Sequence, residues 1–358
     1  MPRKGLIGMT LVMILLLPGC HGDLLEKLSI VYAIGYEAND EAKDQISATY
    51  LIPLYKKEEV ESRIVRTQGN STIETRNLAA LKTGGKFVDE KTQVLLIDQG
   101  LAKQGVFGRL ITYYASRLNL PGNMSLTVTE TSPSSLLEMP LKEVDPGTSI
   151  NNLLSKNENQ GVIPPTNLLT FVRQHASKGQ DPYLPLIRKD GSSHAQLVGI
   201  ALFKDDRFVL SLKGYRNMLL FSLLQHSVIN GYYDTDQQEK SLRMQIEHSR
   251  AKYVWAASSK SMKIRIKIHA TLLPINTSPL DKALPSETEQ MKKKAEQAIE
   301  QQISKLIGQL QQSNIDPIGL GAIARSQDRH WKADAWDKMY PLLKVQTTVK
   351  VNFDSERR

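Results

Sequence analysis

The clearest pattern in the chain is a strict alternation of apolar and mostly basic residues between positions 262 and 270. Alternation with a period of two is typical of a strand that buries one face. The two faces hold, respectively, Met262, Ile264, Ile266 and Ile268, and Lys263, Arg265, Lys267 and His269. The sequence therefore predicts a half-buried antiparallel strand with a basic outer face.

The most extended helical pattern follows this strand. Apolar residues recur at spacings of three and four between Met291 and Leu310, which is the period of an amphipathic helix. Ser286 and Glu289 have the spacing of a capping box, in which each residue satisfies a free backbone N–H at the helix start. We therefore predict one long helix late in the chain.

Shorter patterns predict a mixture of strands and helices elsewhere. Strands are predicted at 28–36, 45–54, 94–97, 126–129, 197–203, 208–212, 241–249, 252–257 and 342–353. Helices are predicted at 62–82, at 101–118 as one or two helices, at 134–138, at 215–226 and, capped by Thr166, at 167–176. Residues 139–165 contain four prolines and are predicted to be mostly loop. This order, with its antiparallel hairpins, favours an α+β fold over a doubly wound parallel sheet.

The length of 358 residues exceeds what one compact core usually holds, so two to three domains are expected. Glycine, proline, aspartate and serine are frequent in residues 177–194, which predicts the main boundary there. The predicted parts are an N-terminal α+β domain at 20–188, either as one unit or as two subdomains, and a C-terminal α+β domain at 194–358.

The N-terminus has the layout of a bacterial lipoprotein signal peptide. Arg3 and Lys4 precede an apolar run of twelve residues at 6–17, too short to span a bilayer. The run ends in Leu-Pro-Gly followed by Cys20, which resembles a lipobox with proline at its tolerant position. We predict removal of residues 1–19 and lipidation of Cys20. The alternatives are an uncleaved signal anchor or an ordinary secretory signal.

Composition narrows the function classes further. Cys20 is the single cysteine, so neither an internal disulfide nor a cysteine-rich metal site can form. Loss of Arg3 and Lys4 with the signal peptide would lower the net charge from +9 to +7. Residues 241–272 contain seven lysines and arginines against the single acidic Glu247. This cluster suits an anionic lipid surface or an acidic partner domain, or it is simply a solvated strand face. Nucleic acid is not expected outside a membrane.

No local motif for catalysis, cofactor binding or metal binding is present. The chain lacks a Walker loop, GxGxxG, HExxH and GxSxG, and none of its seven histidines lies three or four residues from another. We therefore predict no enzyme and no catalytic, cofactor or metal residue, although a site built from distant residues stays open. Asp205 and Asp206 are interpreted as a hairpin turn. Trp331 and Trp336 either anchor the C-terminal segment to the core or form a recognition surface.

Several segments together resemble the Ger(x)C family of spore germination proteins, the C-type lipoprotein subunits of nutrient-germinant receptors. The resemblance spans almost the whole chain. Its elements are Cys20, Ile34-Gly35, residues 94–105, the hairpin segment 199–204, Asp316, Gly319, Gly321, Trp331, Trp336 and the final alternating strand. The chain departs from the family at Gln93, where histidine is usual, and at Asp354-Ser355, where glycine is usual.

The resemblance implies a protein on the outer face of the spore inner membrane, anchored through Cys20. It would join two integral membrane subunits and act in receptor assembly or signal coupling without enzymatic activity, while a partner subunit binds the nutrient. A rival hypothesis is a lipid-anchored protein that binds a small solute for a transporter. Such proteins usually have two α/β lobes with parallel sheets, which the predicted hairpins do not favour.

Overall fold

The computed structural model describes residues 27–39, 45–55, 60–105, 107–117, 122–225, 228, 230–234, 243–273 and 285–353. The predicted signal peptide and Cys20 lie outside these described residues. Within them the fold is α+β with mixed sheets and a long late helix, so the predicted fold class is confirmed.

Fourteen strands and ten α-helices make up the described part of the chain. The strands are β1 Leu28–Ile30, β2 Ala33–Ala38, β3 Ile46–Tyr55, β4 Val60–Gly69, β5 Lys86–Val88, β6 Val94–Asp98, β7 Ser125–Thr129, β8 Tyr183–Asp190, β9 His194–Lys204, β10 Arg207–Lys213, β11 Gly231–Asp234, β12 Arg243–Ala256, β13 Ser261–Leu273 and β14 Lys344–Phe353. The helices are α1 Thr72–Leu81, α2 Gln99–Lys103, α3 Phe107–Ala115, α4 Pro133–Leu137, α5 Pro146–Asn159, α6 Leu168–Ala176, α7 Tyr215–Gln225, α8 Pro285–Gln312, α9 Leu320–Gln327 and α10 Ala333–Met339.

The larger sheet has eight strands in the order β10-β9-β8-β7-β6-β2-β3-β4. Its centre, β8-β7-β6-β2, is parallel, and an antiparallel strand pair closes each side. Apolar clusters cover both faces, so central strands such as β6 are almost entirely buried, as parallel strands usually are. A separate short pair, β1 and β5, lies beside β3.

The smaller sheet has the order β11-β12-β13-β14. Met262, Ile264, Ile266 and Ile268 are at most 1% exposed and share one core with the apolar stripe of α8. The predicted alternation and the late helix are therefore confirmed. The structure adds that β14 pairs with β13 in the parallel direction, which the local pattern of neither strand encodes.

Three predictions in the first half are wrong. Residues 62–82 form β4 and then α1, because residues 60–69 pair along their length with β3 and Ser71 accepts the backbone N–H of Glu74 at the helix start. Residues 139–165 contain α5, in which Asp145 caps the first turn and Pro146 occupies a position where no N–H is needed. Asn167, rather than Thr166, caps α6.

Two further segments are more continuous than predicted. The two strands expected at 241–249 and 252–257 are the single strand β12, with a register shift between Ile246 and His248. Residues 183–190, within the expected boundary region, form β8, which pairs with β9. The division into 20–188 and 194–358 stays a prediction, and strands from both parts belong to the same sheet.

A buried ion cluster stabilises the first half. Asp89 is 1% exposed, and its carboxylate accepts hydrogen bonds from Arg76 and Arg117. Burial alone would raise the pKa of Asp89, but the two guanidinium groups outweigh it and lower the pKa below its ordinary value. Through Asp89, the cluster therefore connects Arg76 of α1 to Arg117, which follows α3, and the buried negative charge of Asp89 is paired with both guanidinium groups.

Candidate interaction surface

The solvent-facing side of the smaller sheet carries a dense set of cations. Arg250, Lys267 and Lys350 are register partners across β12, β13 and β14, and Lys252 pairs with Arg265 in the next row. The set, called here the basic face, comprises Arg250, Lys252, Lys263, Arg265, Lys267 and Lys350, all exposed. The side chains opposite, on the buried side of β13, belong to the core, so the basic face is held on a rigid strand framework.

The basic face concentrates like charges where sheets usually avoid them. Cations directly opposite each other on neighbouring strands are destabilising. Lys350 has an ion pair, with 3.5 Å between its Nζ and Oε2 of Glu296. In the described part of the chain, no ion pair is found for Arg265 or Lys267. A surface of this kind attracts and orients an anionic partner.

The edge of the smaller sheet is closed by α8. The carboxylate of Glu300 accepts the backbone N–H of Val349 at 2.7 Å, and that of Glu296 accepts the N–H of Val351 at 3.0 Å. These bonds occupy edge groups of β14 that would otherwise be free to pair with another strand. A partner would therefore meet the face of this sheet rather than the β14 edge.

Two histidines meet at one end of the basic face. His248 and His269 are register partners on β12 and β13, with 6.5 Å between their ring centroids. A search for pairs three or four residues apart cannot find them, because cross-strand contacts ignore sequence spacing. Among the described residues, no group of three metal-ligating side chains is found.

Behind the basic face, Asp316 organises the start of α9. Oδ1 accepts the N–H groups of Gly319 and Leu320, both at 2.9 Å, and Oδ2 accepts that of Gly321 at 2.8 Å. The backbone N–H of Asp316 in turn donates to Asp181 Oδ2 at 2.7 Å, and its carbonyl accepts the N–H of Asp181 at 2.9 Å. Asp181 precedes β8, so this pair connects the larger sheet to the C-terminal helices.

The pKa values of both carboxyl groups at this connection, Asp316 and Asp181, are raised. Burial, with a contribution from the nearby Asp181 carboxylate, raises the pKa of Asp316 to about 7 although three N–H groups donate to it. Burial also raises the pKa of Asp181, against the opposing effects of the Asp316 N–H and of Lys204, whose Nζ lies 3.2 Å from Oδ2. In the sequence, the signal for this arrangement is an aspartate four residues before the first residue of α9.

Glycines allow the close approach at this connection. The N–H of Ala322 donates to the carbonyl of Gly179 at 2.8 Å, and Gly179 has a φ of +82°. A Cβ on Gly321 would lie 2.5 Å from Nε1 of Trp336 and 2.7 Å from Cα of Gly179. Neither neighbour can move freely, because one is a buried ring and the other is backbone.

We expect Gly321→Ala to lower the free energy of unfolding by about 2–3 kcal/mol, because the added methyl group overpacks a backbone contact. Gly308→Ala in α8 is the matched control, since no atom other than its chain neighbours and the adjacent backbone of α8 lies within 4 Å of the new Cβ. That change should stabilise by about 0.5–1 kcal/mol. Urea unfolding followed by circular dichroism measures both, and equal effects would contradict the close-packing argument.

The tryptophans and the acidic pair take the structural roles favoured by the sequence. Trp336 is 2% exposed and packs against Trp255 and Trp331, with ring centroids 5.7 and 6.4 Å away. Trp331 and Trp336 therefore anchor the C-terminal segment to the core.

Asp205, with a φ of 54°, and Asp206 form the turn of the β9–β10 hairpin. A cleft of about 460 Å³ beside them is lined by His175, Lys204, Asp334 and Asp337 among others.

None of the described helices combines the length and apolar character needed to cross a membrane. The lipidation site proposed from the sequence, Cys20, is not among the described residues, so its role stays a prediction.

Comparison with known proteins assigns the family. Residues 23–189 match the family described as "Spore germination protein N-terminal domain", and residues 198–355 match "Spore germination B3/GerAC like, C-terminal". The spore germination protein GerQC of Bacillus cereus is 28% identical over 351 residues, which cover 95% of this chain and 96% of that protein. The crystal structure of the GerBC protein has the same fold, with a TM-score of 0.58 at 12% identity, over 90% of this chain and 97% of that one. The two family matches span nearly all of the chain, which therefore belongs to the GerAC-like spore germination proteins, as its resemblance to the Ger(x)C family implied.

Proposed function

We propose that this protein is the lipid-anchored subunit of a nutrient-germinant receptor on the outer face of the spore inner membrane. It acts without enzymatic activity, by binding two integral membrane subunits and coupling their response to germination. The observation that carries this proposal is the family match in both halves of the chain, at 23–189 and 198–355. The single cysteine, placed at the end of a signal-peptide pattern, supports the anchor.

The basic face is the proposed contact surface for an acidic region of a partner subunit. The described chain begins at Lys27, in a depression that Leu54 of β3 and Arg63 of β4 also line. The smaller sheet instead joins the larger one through α7, which contacts β9, β10 and β12. The β4 edge and the β10 edge are the two ends of the eight-stranded sheet. With strands about 4.8 Å apart, these two edges are separated by on the order of 30 Å. An anchor at the β4 edge therefore leaves the basic face available to a protein.

We expect Cys20→Ala to abolish germination in response to one class of nutrient while nutrient-independent germination is unchanged. Without acyl chains the protein loses its lipid anchor, and stable attachment to a bilayer needs two signals, so any remaining surface contact would hold the protein only reversibly. The measurement is the loss of optical density of purified spores after nutrient addition, with a deletion strain as the reference. Mass spectrometry of the protein extracted from wild-type spores tests lipidation of Cys20 directly.

An intact nutrient response in the deletion strain would contradict the receptor role. The rival class, a solute-binding protein, predicts instead that the purified protein binds amino acids or sugars with micromolar affinity. The polar cleft beside Asp181 and Lys204 is where such a ligand would be sought. Isothermal titration calorimetry decides between the two, because the receptor-subunit proposal places nutrient binding on a partner.

A further inference from the structure

A second charged surface lies where the described chain begins. Lys27 is the first described residue, and Leu28 pairs with Lys86 in the parallel β1–β5 ladder. Gly85 approaches so closely that a Cβ on it would lie 2.5 Å from the carbonyl oxygen of Lys27. The start of the described chain is therefore fixed against β5 rather than merely adjacent to it.

Cations and exposed leucines surround this point. Arg63 donates to the carbonyl oxygen of Lys82 at 2.8 Å, which brings the end of α1 to β4. Leu81, the last residue of α1, is 83% exposed, and Leu54 of β3 is 44% exposed. We call this surface the N-terminal patch, and it consists of Lys27, Leu54, Arg63, Leu81, Lys82 and Lys86. Its acidic neighbour in the β3–β4 ladder is Glu61, opposite Leu54.

The length of chain before Lys27 limits how far this patch can be from a membrane. Seven residue steps separate Lys27 from Cys20, and a fully extended chain spans about 3.5 Å per residue. If Cys20 is lipidated at the bilayer surface, Lys27 lies within about 25 Å of that surface. Exposed leucines beside lysines and an arginine combine the two contributions that hold proteins at anionic membranes.

We propose that the N-terminal patch binds the anionic lipid surface directly and sets the orientation of the protein on the membrane. The proposal rests on the anchor of the proposed function and adds a second contact to it. Acyl chains alone would limit the distance of Lys27 from the bilayer but would not set the orientation of the protein on it. Contact through the patch turns the β4 edge toward the bilayer and leaves the β10 side, with the basic face beyond it, pointing away from the lipid.

The test uses the chain from residue 20 with Cys20→Ala, so that no acyl chain contributes. Sedimentation with vesicles of phosphatidylglycerol and phosphatidylcholine is compared with vesicles of phosphatidylcholine alone. We expect binding to the anionic vesicles only, and a loss of about 100-fold or more in Lys27→Glu/Lys82→Glu/Lys86→Glu. The matched control, Lys263→Glu/Arg265→Glu/Lys267→Glu on β13, changes the net charge by the same amount and should bind as the parent does. Circular dichroism confirms that each variant is folded.

A second measurement locates the contact. Cys20→Ala removes the single cysteine, so a fluorophore can be attached to Leu81→Cys or, on the basic face side of β14, to Thr348→Cys. We expect a blue shift with anionic vesicles at position 81 and none at 348. Absence of binding, equal binding to both vesicle types, or a shift at 348 alone would overturn the proposal. Unlipidated Cys20 in spores would instead overturn the anchor, so the two failures are distinguishable.

Discussion

Asp316→Ala is expected to lower the free energy of unfolding by about 3–5 kcal/mol at pH 5, the largest stability effect we predict for a single side chain. The carboxyl group accepts three backbone N–H groups at the start of α9, and the residue is 4% exposed. Buried donors without an acceptor each cost about 1–3 kcal/mol. The two hydrogen bonds between Asp316 and Asp181 use only the backbone N–H and C=O of Asp316, so the variant isolates the contribution of the Asp316 side chain.

Asp316→Asn separates the lost acceptors from the lost volume. Its amide oxygen can still accept from Gly319 and Leu320, whereas its NH2 group cannot accept from Gly321. We therefore expect a smaller loss at pH 5, of about 1–2 kcal/mol. Urea unfolding with circular dichroism measures both variants. Equal losses for alanine and asparagine would show that the three hydrogen bonds are not what stabilises this region.

Comparison of the parent protein with Asp316→Asn also gives a pH dependence of stability whose sign can be predicted. The pKa of Asp316 is raised to about 7 in the folded chain, against about 3.9 when unfolded. Between these values the folded chain binds the additional proton, so its stability falls as pH rises, by at most about 1.4 kcal/mol per pH unit. Asp316→Asn has no such proton, so its deficit relative to the parent should shrink from pH 5 to pH 8. A deficit that grew with pH would contradict the raised pKa.

The sequence predicted those features that depend on local periodicity. The faces of β13, the stripe of α8 and the β9–β10 hairpin all follow from residue spacing within one element. The parallel pairing of β14 with β13 could not be predicted, because it joins residues about 80 positions apart. It also depends on how α8, which lies between the two strands in the sequence, packs against the sheet. Likewise, β4 has the composition of a polar helix, and its pairing with β3 decides its structure.

The candidate interaction surface was also predicted only in the part that depends on local sequence pattern. The basic composition of residues 241–272 was visible in the sequence, and β13 alone predicted half of the basic face. The alignment of Arg250, Lys267 and Lys350 in one row requires the register of three strands. The contact between Asp181 and Asp316 joins residues 135 positions apart. Tertiary pairing, which no local pattern encodes, therefore turns scattered charges into a surface.

Reversal of the basic face with Lys263→Glu/Arg265→Glu/Lys267→Glu is expected to reduce co-purification of the membrane subunits at least tenfold. An acidic partner surface would then meet like charge, which slows association and weakens the complex. The parent complex should also weaken as salt rises above about 0.15 M, where charges are screened within about 8 Å. The measurement is quantitative pull-down of an affinity-tagged chain from detergent-solubilised spore membranes, at two salt concentrations.

The stability of this variant distinguishes a binding surface from a structural one. Lys267 lies between Arg250 and Lys350, so a glutamate there gains two favourable cross-strand neighbours in place of two repulsive ones. We expect the free energy of unfolding to rise by about 0.5–1 kcal/mol while assembly is lost. Lys293→Glu/Lys294→Glu/Lys305→Glu on exposed positions of α8 is the control with equal charge change, and should retain its partners. Unchanged co-purification of the β13 variant, or equal loss in both variants, would refute a docking role for the basic face. A loss of both stability and assembly would mean that these cations support the fold instead.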